Sequence, residues 1–125
     1  MAAKYTDTVL ATAQLMTLVQ RARAIQGFTI KGEMADGRGG VNFMMSADLN
    51  FASWGEKIDL HMYPYNEQQT MVEIKSECAM PTQLFDMGKN KENVEKILGY
   101  ILGGIVILRI DKEVPKNNYW GQNKK

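Results

Sequence analysis

The sequence has very little of what disulfides and metal sites are built from. Its 125 residues include one cysteine, Cys78, and one histidine, His61. A single cysteine cannot form an internal disulfide, and one cysteine with one histidine cannot supply the usual zinc ligand set. We therefore expect a protein without a metal or other cofactor. Because the N-terminus lacks the charged and apolar leader of a secreted chain, we also expect it to be cytoplasmic.

An excess of basic charge is absent as well. Lysine and arginine together number 15, aspartate and glutamate 14, and the formal net charge is +1. Proteins that bind nucleic acid normally carry a clear basic excess or a basic stripe. The sequence shows neither feature, so we predict no nucleic-acid partner.

A membrane-spanning segment is excluded by length. The most apolar run, ILGYILGGIVILRI at residues 97–110, is shorter than the about 20 apolar residues that a spanning helix needs. Gly103 and Gly104 interrupt it, so we expect a helix to end near Leu102. The apolar segment beyond the glycines forms either a further strand or an arm that reaches a second copy of the chain. Its residues are Ile105, Val106, Ile107 and Leu108.

The spacing of apolar residues predicts one helix and then four strands. Apolar residues recur at three- and four-residue steps over about 5–25, and Gly27 ends this first helix. From Phe28 the period changes to two, as half-buried strands require, and short turns join the segments. Such turns favour an antiparallel meander. The four predicted strands lie near 28–34, 41–45, 58–63 and 72–78.

A second amphipathic helix follows the strands. After Pro81 the apolar residues recur on one face up to Ile101. A four-stranded sheet with one apolar face needs a cover, which two amphipathic helices can supply. We therefore predict an α+β two-layer sandwich, in which a four-stranded antiparallel meander is flanked by an N-terminal and a C-terminal helix. The predicted order is α-β-β-β-β-α, with a possible extra strand at 105–110. Residues 1–113 would form one domain and 114–125 a polar tail.

The segment PTQLFDMGKNKENVEKI, residues 81–97, has the glycine and lysine of a phosphate-binding loop but not the spacing. A P-loop requires G-x-x-x-x-G-K followed by serine or threonine. Here Gln83 stands five residues before Gly88, and Asn90 replaces the hydroxyl residue. We interpret the segment as the start of the second helix, with Asp86 or Asn90 accepting hydrogen bonds from its first amides.

This segment and SWGEKI, residues 53–58, together resemble a family of small bacterial α+β domains of uncharacterised function. Members of that family carry a Ser-Trp-Gly-Glu-Lys turn into a strand and a helix start similar to Asp-Trp-Gly-Lys-Asn-Lys. The present sequence departs from the pattern at Met87, where the family usually has tryptophan. The resemblance covers about 40–97. It implies the α+β fold and no particular activity.

Methionine is the one unusual feature of the composition, with nine residues. Flexible thioethers fill irregular cores and also line permissive apolar pockets, so both interpretations stay open. A pocket between the sheet and the second helix is the commonest kind of small-molecule site. The residues that we expect to line it are Met45, Trp54, Leu60 and Met62.

His61 is the one candidate for acid–base chemistry. With Asp59 and Glu73 it could form a set on the outer face of adjacent strands. The solvated face of a sheet has the same pattern, and no serine or cysteine nucleophile lies within evident reach. We therefore expect no catalytic residues and no enzyme.

Two functional hypotheses follow. The first is a non-catalytic binding or interaction module that self-associates, most simply as a homodimer, through the apolar residues 105–108. The second is a carrier of an apolar small molecule, held in the cleft between the sheet and the helices.

Overall fold

A computed structural model describes residues 3–47, 55–79 and 88–110 of the chain. Within these ranges the chain forms six strands and two helices. In chain order they are β1 (Lys4–Ala11), α1 (Leu15–Arg23), β2 (Phe28–Ala35), β3 (Val41–Ala47), β4 (Glu56–Pro64), β5 (Thr70–Cys78), α2 (Lys89–Leu102) and β6 (Ile107–Arg109).

The strands form an antiparallel sheet in the order β2-β3-β4-β5-β1-β6. Strands β2 to β5 are neighbours in space as they are in sequence. Strand β1 pairs with β5 along its whole length, from Lys4 opposite Glu77 to Ala11 opposite Thr70. The short strand β6 then pairs with the free side of β1.

The predicted fold class is therefore wrong: the sheet has six strands, and a strand precedes the first helix. The helix expected over about 5–25 is divided into β1 and the nine-residue α1. In β1, Asp7 lies on the same side as the core residues Val9 and Ala11, but it is a buried carboxylate, and Leu10 between those two is buried as well. Because Asp7 breaks the apolar alternation, the neighbouring Val9 and Leu10 resemble a helical face in the sequence.

Both helices cover the same face of the sheet, so the molecule is an α+β structure of two layers. The inward residues of α1 and α2 join the inward residues of the central strands in one apolar core. The members of this core that are completely shielded from solvent are Val9, Ala11, Leu18, Val19, Ala22, Phe43, Leu60, Met62, Val72, Val94, Ile97 and Ile101.

The side chain of Arg21 in α1 forms hydrogen bonds to the end of α2. Its Nη1 donates hydrogen bonds to the carbonyl oxygens of Ile101 at 3.1 Å and Gly103 at 2.9 Å. These are carbonyls at the C-terminal end of α2, which have no partner inside the helix, and a cation there also complements the helix dipole. Arg21 therefore positions α2 against α1.

The segment after α2 is in part a strand of the same chain. Its residues Ile107 to Arg109 pair with β1, and Arg109 forms an ion pair with the buried Asp7. The side chains of Val106 and Leu108 nevertheless stay exposed, at 75% and 62%. Neither helix in the described part of the chain is long and apolar enough to cross a membrane.

We expect the ion pair between Asp7 and Arg109 to contribute measurably to stability. The Asp7 side chain is 5% exposed, so Arg109→Ala would leave a buried carboxylate whose remaining hydrogen bond within the described residues comes from the Thr8 amide. The free energy of unfolding should fall by about 1–3 kcal/mol in urea titrations. The control Lys31→Ala removes an exposed positive charge from the edge strand β2 and should change stability by less than about 0.5 kcal/mol. Equal losses in the two variants would contradict this interpretation.

Candidate functional site

The site begins with a carboxylate in an apolar position. Glu56 is the first residue of β4, and the period of two places it on the same side as Ile58, Leu60 and Met62. That side faces the helices, so the Glu56 side chain points into the protein and is only 1% exposed. A buried glutamate is rare unless its charge is paired.

Two asparagines of α2 meet this end of the sheet. Asn90 and Asn93 are three residues apart and therefore lie on one side of the helix. Asn93 Nδ2 donates to Glu56 Oε1 at 2.8 Å, and Ser76 Oγ donates to Asn90 Oδ1 at 2.8 Å. Asn90 Nδ2 also donates to the carbonyl oxygen of Ala3 at 3.0 Å. This polar network fixes the first turns of α2 on β1, β4 and β5.

Asn90, one of the two residues predicted to cap the start of α2, is not the cap. The residue before the first turn of α2 is Gly88, which has a left-handed backbone (φ 79°) and supplies no side-chain cap. Asn90 lies inside the helix and is fully buried, so it does not cap it. Asp86, the other predicted cap, lies outside the described residues.

One oxygen of the network has no hydrogen-bond partner among the described residues. Glu56 Oε2 is buried, and no group in the described part of the chain donates to it. Glu56 also forms no ion pair within those residues. Leaving a buried charged oxygen unsatisfied costs at least about 1–3 kcal/mol, so this atom needs an explanation.

A cavity of about 430 Å³ adjoins Glu56. We call it the α2 cavity, because it lies between α2, the end of the sheet and the turn after α1. Two of its lysines are bound to Glu92: Lys89 Nζ lies 3.6 Å and Lys96 Nζ 2.8 Å from its carboxylate oxygens. The cavity is lined by Ile25, Gln26, Gly27, Phe28, Ala47, Glu56, Lys89, Asn93, Lys96 and Tyr100.

Tyr100 forms an ordered wall of this cavity. Its hydroxyl donates to the carbonyl oxygen of Ala24 at 2.7 Å, which leaves the ring beside Ile25 and Phe28. The polar end of the ring is thereby satisfied, and its apolar body is available for contact. The α2 cavity therefore combines an apolar wall with one acidic group at its buried end.

The residues expected to line a pocket are placed elsewhere. Met45, Leu60 and Met62 are 0–2% exposed and belong to the packed core, and none of them lines the α2 cavity. Trp54 lies outside the described residues. A sequence signal for the actual site does exist: the alternation Glu56, Ile58, Leu60, Met62 places a carboxylate on the inward face. In the same way, the three-residue spacing of Asn90 and Asn93 places both on the buried side of α2.

A second polar cluster lies on the opposite, helix-free face of the sheet. His61 Nε2 is 2.8 Å from Asp36 Oδ2, and His61 Nδ1 is 3.3 Å from Glu73 Oε1. Tyr63 donates its hydroxyl hydrogen to Glu73 Oε2 at 3.1 Å. Burial, with the Glu73 carboxylate beside it, raises the pKa of Tyr63 to about 12.

Asp36 connects this cluster to the β2–β3 turn. Its Oδ1 accepts the backbone amides of Arg38 at 2.7 Å and Gly40 at 2.8 Å. The hydrogen bond to His61, followed by these two amides, lowers the pKa of Asp36 to about 2. Gly40 is required here, because a Cβ on it would lie 2.4 Å from Asp36 Oδ2. Asp36 thus closes the turn and holds it on β4.

The predicted acid–base set is only partly assembled. His61 and Glu73 are in contact, but the described contacts of Asp59 include no hydrogen bond to His61, and the second carboxylate is Asp36. Because each ring nitrogen already faces a carboxylate, neither is free to act on a substrate. Within the described residues no group of histidine, cysteine, aspartate and glutamate is arranged to hold a metal ion. The cluster is best explained as a structural connection.

Comparison of the sequence with known proteins gives no indication of what either polar cluster does. No family model matches the sequence, and no curated protein matches it either. The function must therefore be argued from the two sites themselves.

The Asp36 contacts predict how stability depends on pH. The pKa of Asp36 is lowered from 3.8 to about 2 in the folded protein, so its contacts stabilise the fold fully above about pH 4. This contribution disappears as the pH falls towards 2. The difference in unfolding free energy between the wild type and Asp36→Asn should therefore shrink between pH 5 and pH 2.5, measured by urea unfolding.

The control for this titration is Asp59→Asn, which changes an exposed carboxylate on the same strand as His61. Its difference from the wild type should vary much less over the same pH range. An Asp36→Asn difference that stays constant from pH 5 to pH 2.5 would refute the assignment.

Proposed function

We propose that the protein is a non-catalytic module that binds a small molecule in the α2 cavity. The observation that carries this proposal is Glu56, a residue that lines the cavity and whose buried Oε2 has no hydrogen-bond partner among the described residues. Proteins seldom retain a buried polar atom without a partner, and a bound ligand is one way to supply it. The volume of about 430 Å³ lies within the range of ordinary ligand pockets.

The composition of the cavity favours binding over catalysis. Its described lining contains no serine, cysteine or histidine that could serve as a nucleophile or base. The hydroxyl of the lining residue Tyr100 already donates to Ala24, and Asn93 is held by its hydrogen bond to Glu56. Groups held in this way are suited to orienting a ligand.

The two motif segments on which the expected resemblance rests meet at this site. One of the two motif segments, residues 53–58, contains Glu56, and the other, residues 81–97, contains Asn90 and Asn93. The hydrogen bond from Asn93 to Glu56 joins these two segments, although they are far apart in sequence. We infer that the two motifs belong together because they build one binding site.

The ligand differs in character from the one that a methionine-lined carrier would hold. The walls of the α2 cavity are apolar and aromatic at Phe28 and Tyr100, but Glu56 and Asn93 form its polar end. Such a cavity selects a molecule with an apolar body and a hydrogen-bond donor at one end. The polar group then fixes the orientation of the ligand.

Filling the cavity tests the proposal directly. Ala47 lines the α2 cavity, whereas the adjacent Ser46 points to the opposite face of β3, so Ala47→Phe and Ser46→Phe form a matched pair. Saturation-transfer NMR with a library of neutral, cationic and anionic aromatic fragments provides the readout. Fragments that bind the wild type should lose their signal with Ala47→Phe and keep it with Ser46→Phe.

Circular dichroism should verify that both variants are folded. The proposal fails if no fragment binds the wild type, or if the bound fragments bind Ala47→Phe as well as they bind Ser46→Phe.

Self-association is a second candidate function, and it is favoured by the end of the described chain. Strand β6 is an edge strand whose side away from β1 has no strand partner in the described part of the sheet. Beside it Val106 and Leu108 are mostly exposed, and Ile107 is 39% exposed. An apolar edge strand of this kind is a ready surface for pairing with a second copy.

We expect sedimentation velocity to detect a dimer of the intact chain. Val106→Lys and Leu108→Lys place charges on the exposed edge and should yield a folded monomer. Met16→Lys is the matched control, because Met16 is 53% exposed on α1, and this variant should remain dimeric. An intact chain that sediments as a monomer at high concentration would rule out this function.

A further inference from the structure

We infer, on the basis of the proposed function, that the ligand of the α2 cavity carries a primary ammonium group. This group would bind to Glu56 Oε2, and an apolar body of about the size of one aromatic ring would lie beside Phe28 and Tyr100. The inference concerns the chemical class of the ligand and rests on the charges and contacts around Glu56.

The first argument is the charge of the buried carboxylate. Glu56 is 1% exposed, and its one described side-chain hydrogen bond comes from Asn93, a neutral amide. A neutral donor satisfies one oxygen but does not compensate the charge that burial has removed from water. A ligand with a positive donor would do both at Oε2, since charge-assisted hydrogen bonds are roughly twice as strong as neutral ones.

The second argument is that the protein's own cations are engaged elsewhere. Lys89 and Lys96 line the same cavity, but both contact the carboxylate of Glu92 and neither forms an ion pair with Glu56. The Lys96 side chain is 60% exposed and that of Lys89 is 22% exposed. Among the described lining residues, Glu56 therefore has no cation within ion-pair distance.

The third argument is the shape of the space next to the carboxylate. Phe28, Ala47 and Glu56 lie on three adjacent strands at matching register, Phe28 opposite Ala47 and Ala47 opposite Glu56. The small Ala47 side chain leaves room between the aromatic residue and the carboxylate. Tyr100 and Ile25 close this space from the side of the helices. An amine on a short carbon chain attached to a ring would fill the space and reach Glu56.

The test compares probes of nearly the same shape and different head groups. The wild type, labelled with ¹⁵N, would be titrated with 2-phenylethylamine and with 2-phenylethanol at neutral pH. We expect the amine to shift the side-chain amide signals of Asn93 and to bind at least about tenfold more tightly than the alcohol, as the charge-assisted bond requires.

Two glutamate variants locate the effect. Glu56→Gln keeps the size of the side chain and removes its charge, so its affinity for the amine should fall to that for the alcohol. Glu77→Gln is the matched control, because Glu77 lies on the opposite face of the sheet at β5, and it should keep the preference. If Glu56→Gln does not fold, the comparison of the two probes on the wild type decides the question alone.

The outcomes separate this inference from the proposed function. If the two probes bind equally and both shift Asn93, the ligand class is wrong and the cavity remains a binding site. If the amine preference survives in Glu56→Gln, the inference is also wrong, because Glu56 is then not the anchor. If neither probe changes the signals of cavity residues in the wild type, the inference is wrong, and the fragment library then decides whether the cavity binds a ligand of another class.

Discussion

The burial of the Glu56 carboxylate is the constraint on which the rest of this structure depends. A charge in that position requires partners, and α2 supplies them through Asn93 and, by way of Ser76, through Asn90. The apolar face of α2 alone would allow the helix to slide or rotate on the sheet, whereas these directional bonds admit one position. The α2 cavity exists because the helix is held there and the small Ala47 leaves space below it.

The two faces of the sheet use their charged groups in different ways. On the helix-free face, the Asp36, His61 and Glu73 side chains satisfy one another and hold the β2–β3 turn on the sheet. At the far edge of the helix face, Asp7 is compensated by Arg109 from β6. Glu56 alone among these carboxylates keeps a buried oxygen without a partner in the described residues. That contrast is why we place function in the α2 cavity and assign structural roles to the other two clusters.

The sequence predicted the parts of the fold where apolar residues alternate without interruption. This holds for the segments of β2 to β5 and for α2. In β1 the polar Asp7 interrupts the apolar period of two, so the strand was not predicted. The three-residue β6 is too short to show a period and reads only as part of an apolar run. The His61–Asp36 contact could not be predicted, because a turn residue and a strand residue 25 positions apart meet only through pairing of the sheet. Glu56, Asn90 and Asn93 could have been predicted as buried polar residues. Glu56 lies on the apolar side of a strand with a clear period of two, and the two asparagines lie on the apolar side of a helix.

A crystal structure of the purified protein tests the central claim most directly, because it shows what lies next to Glu56 Oε2. Our account predicts an open α2 cavity in which Oε2 accepts a hydrogen bond from a bound small molecule or from water, while Asn93 still donates to Oε1. A cavity filled by the chain itself, with a side chain or backbone amide of the same protein donating to Oε2, would contradict it.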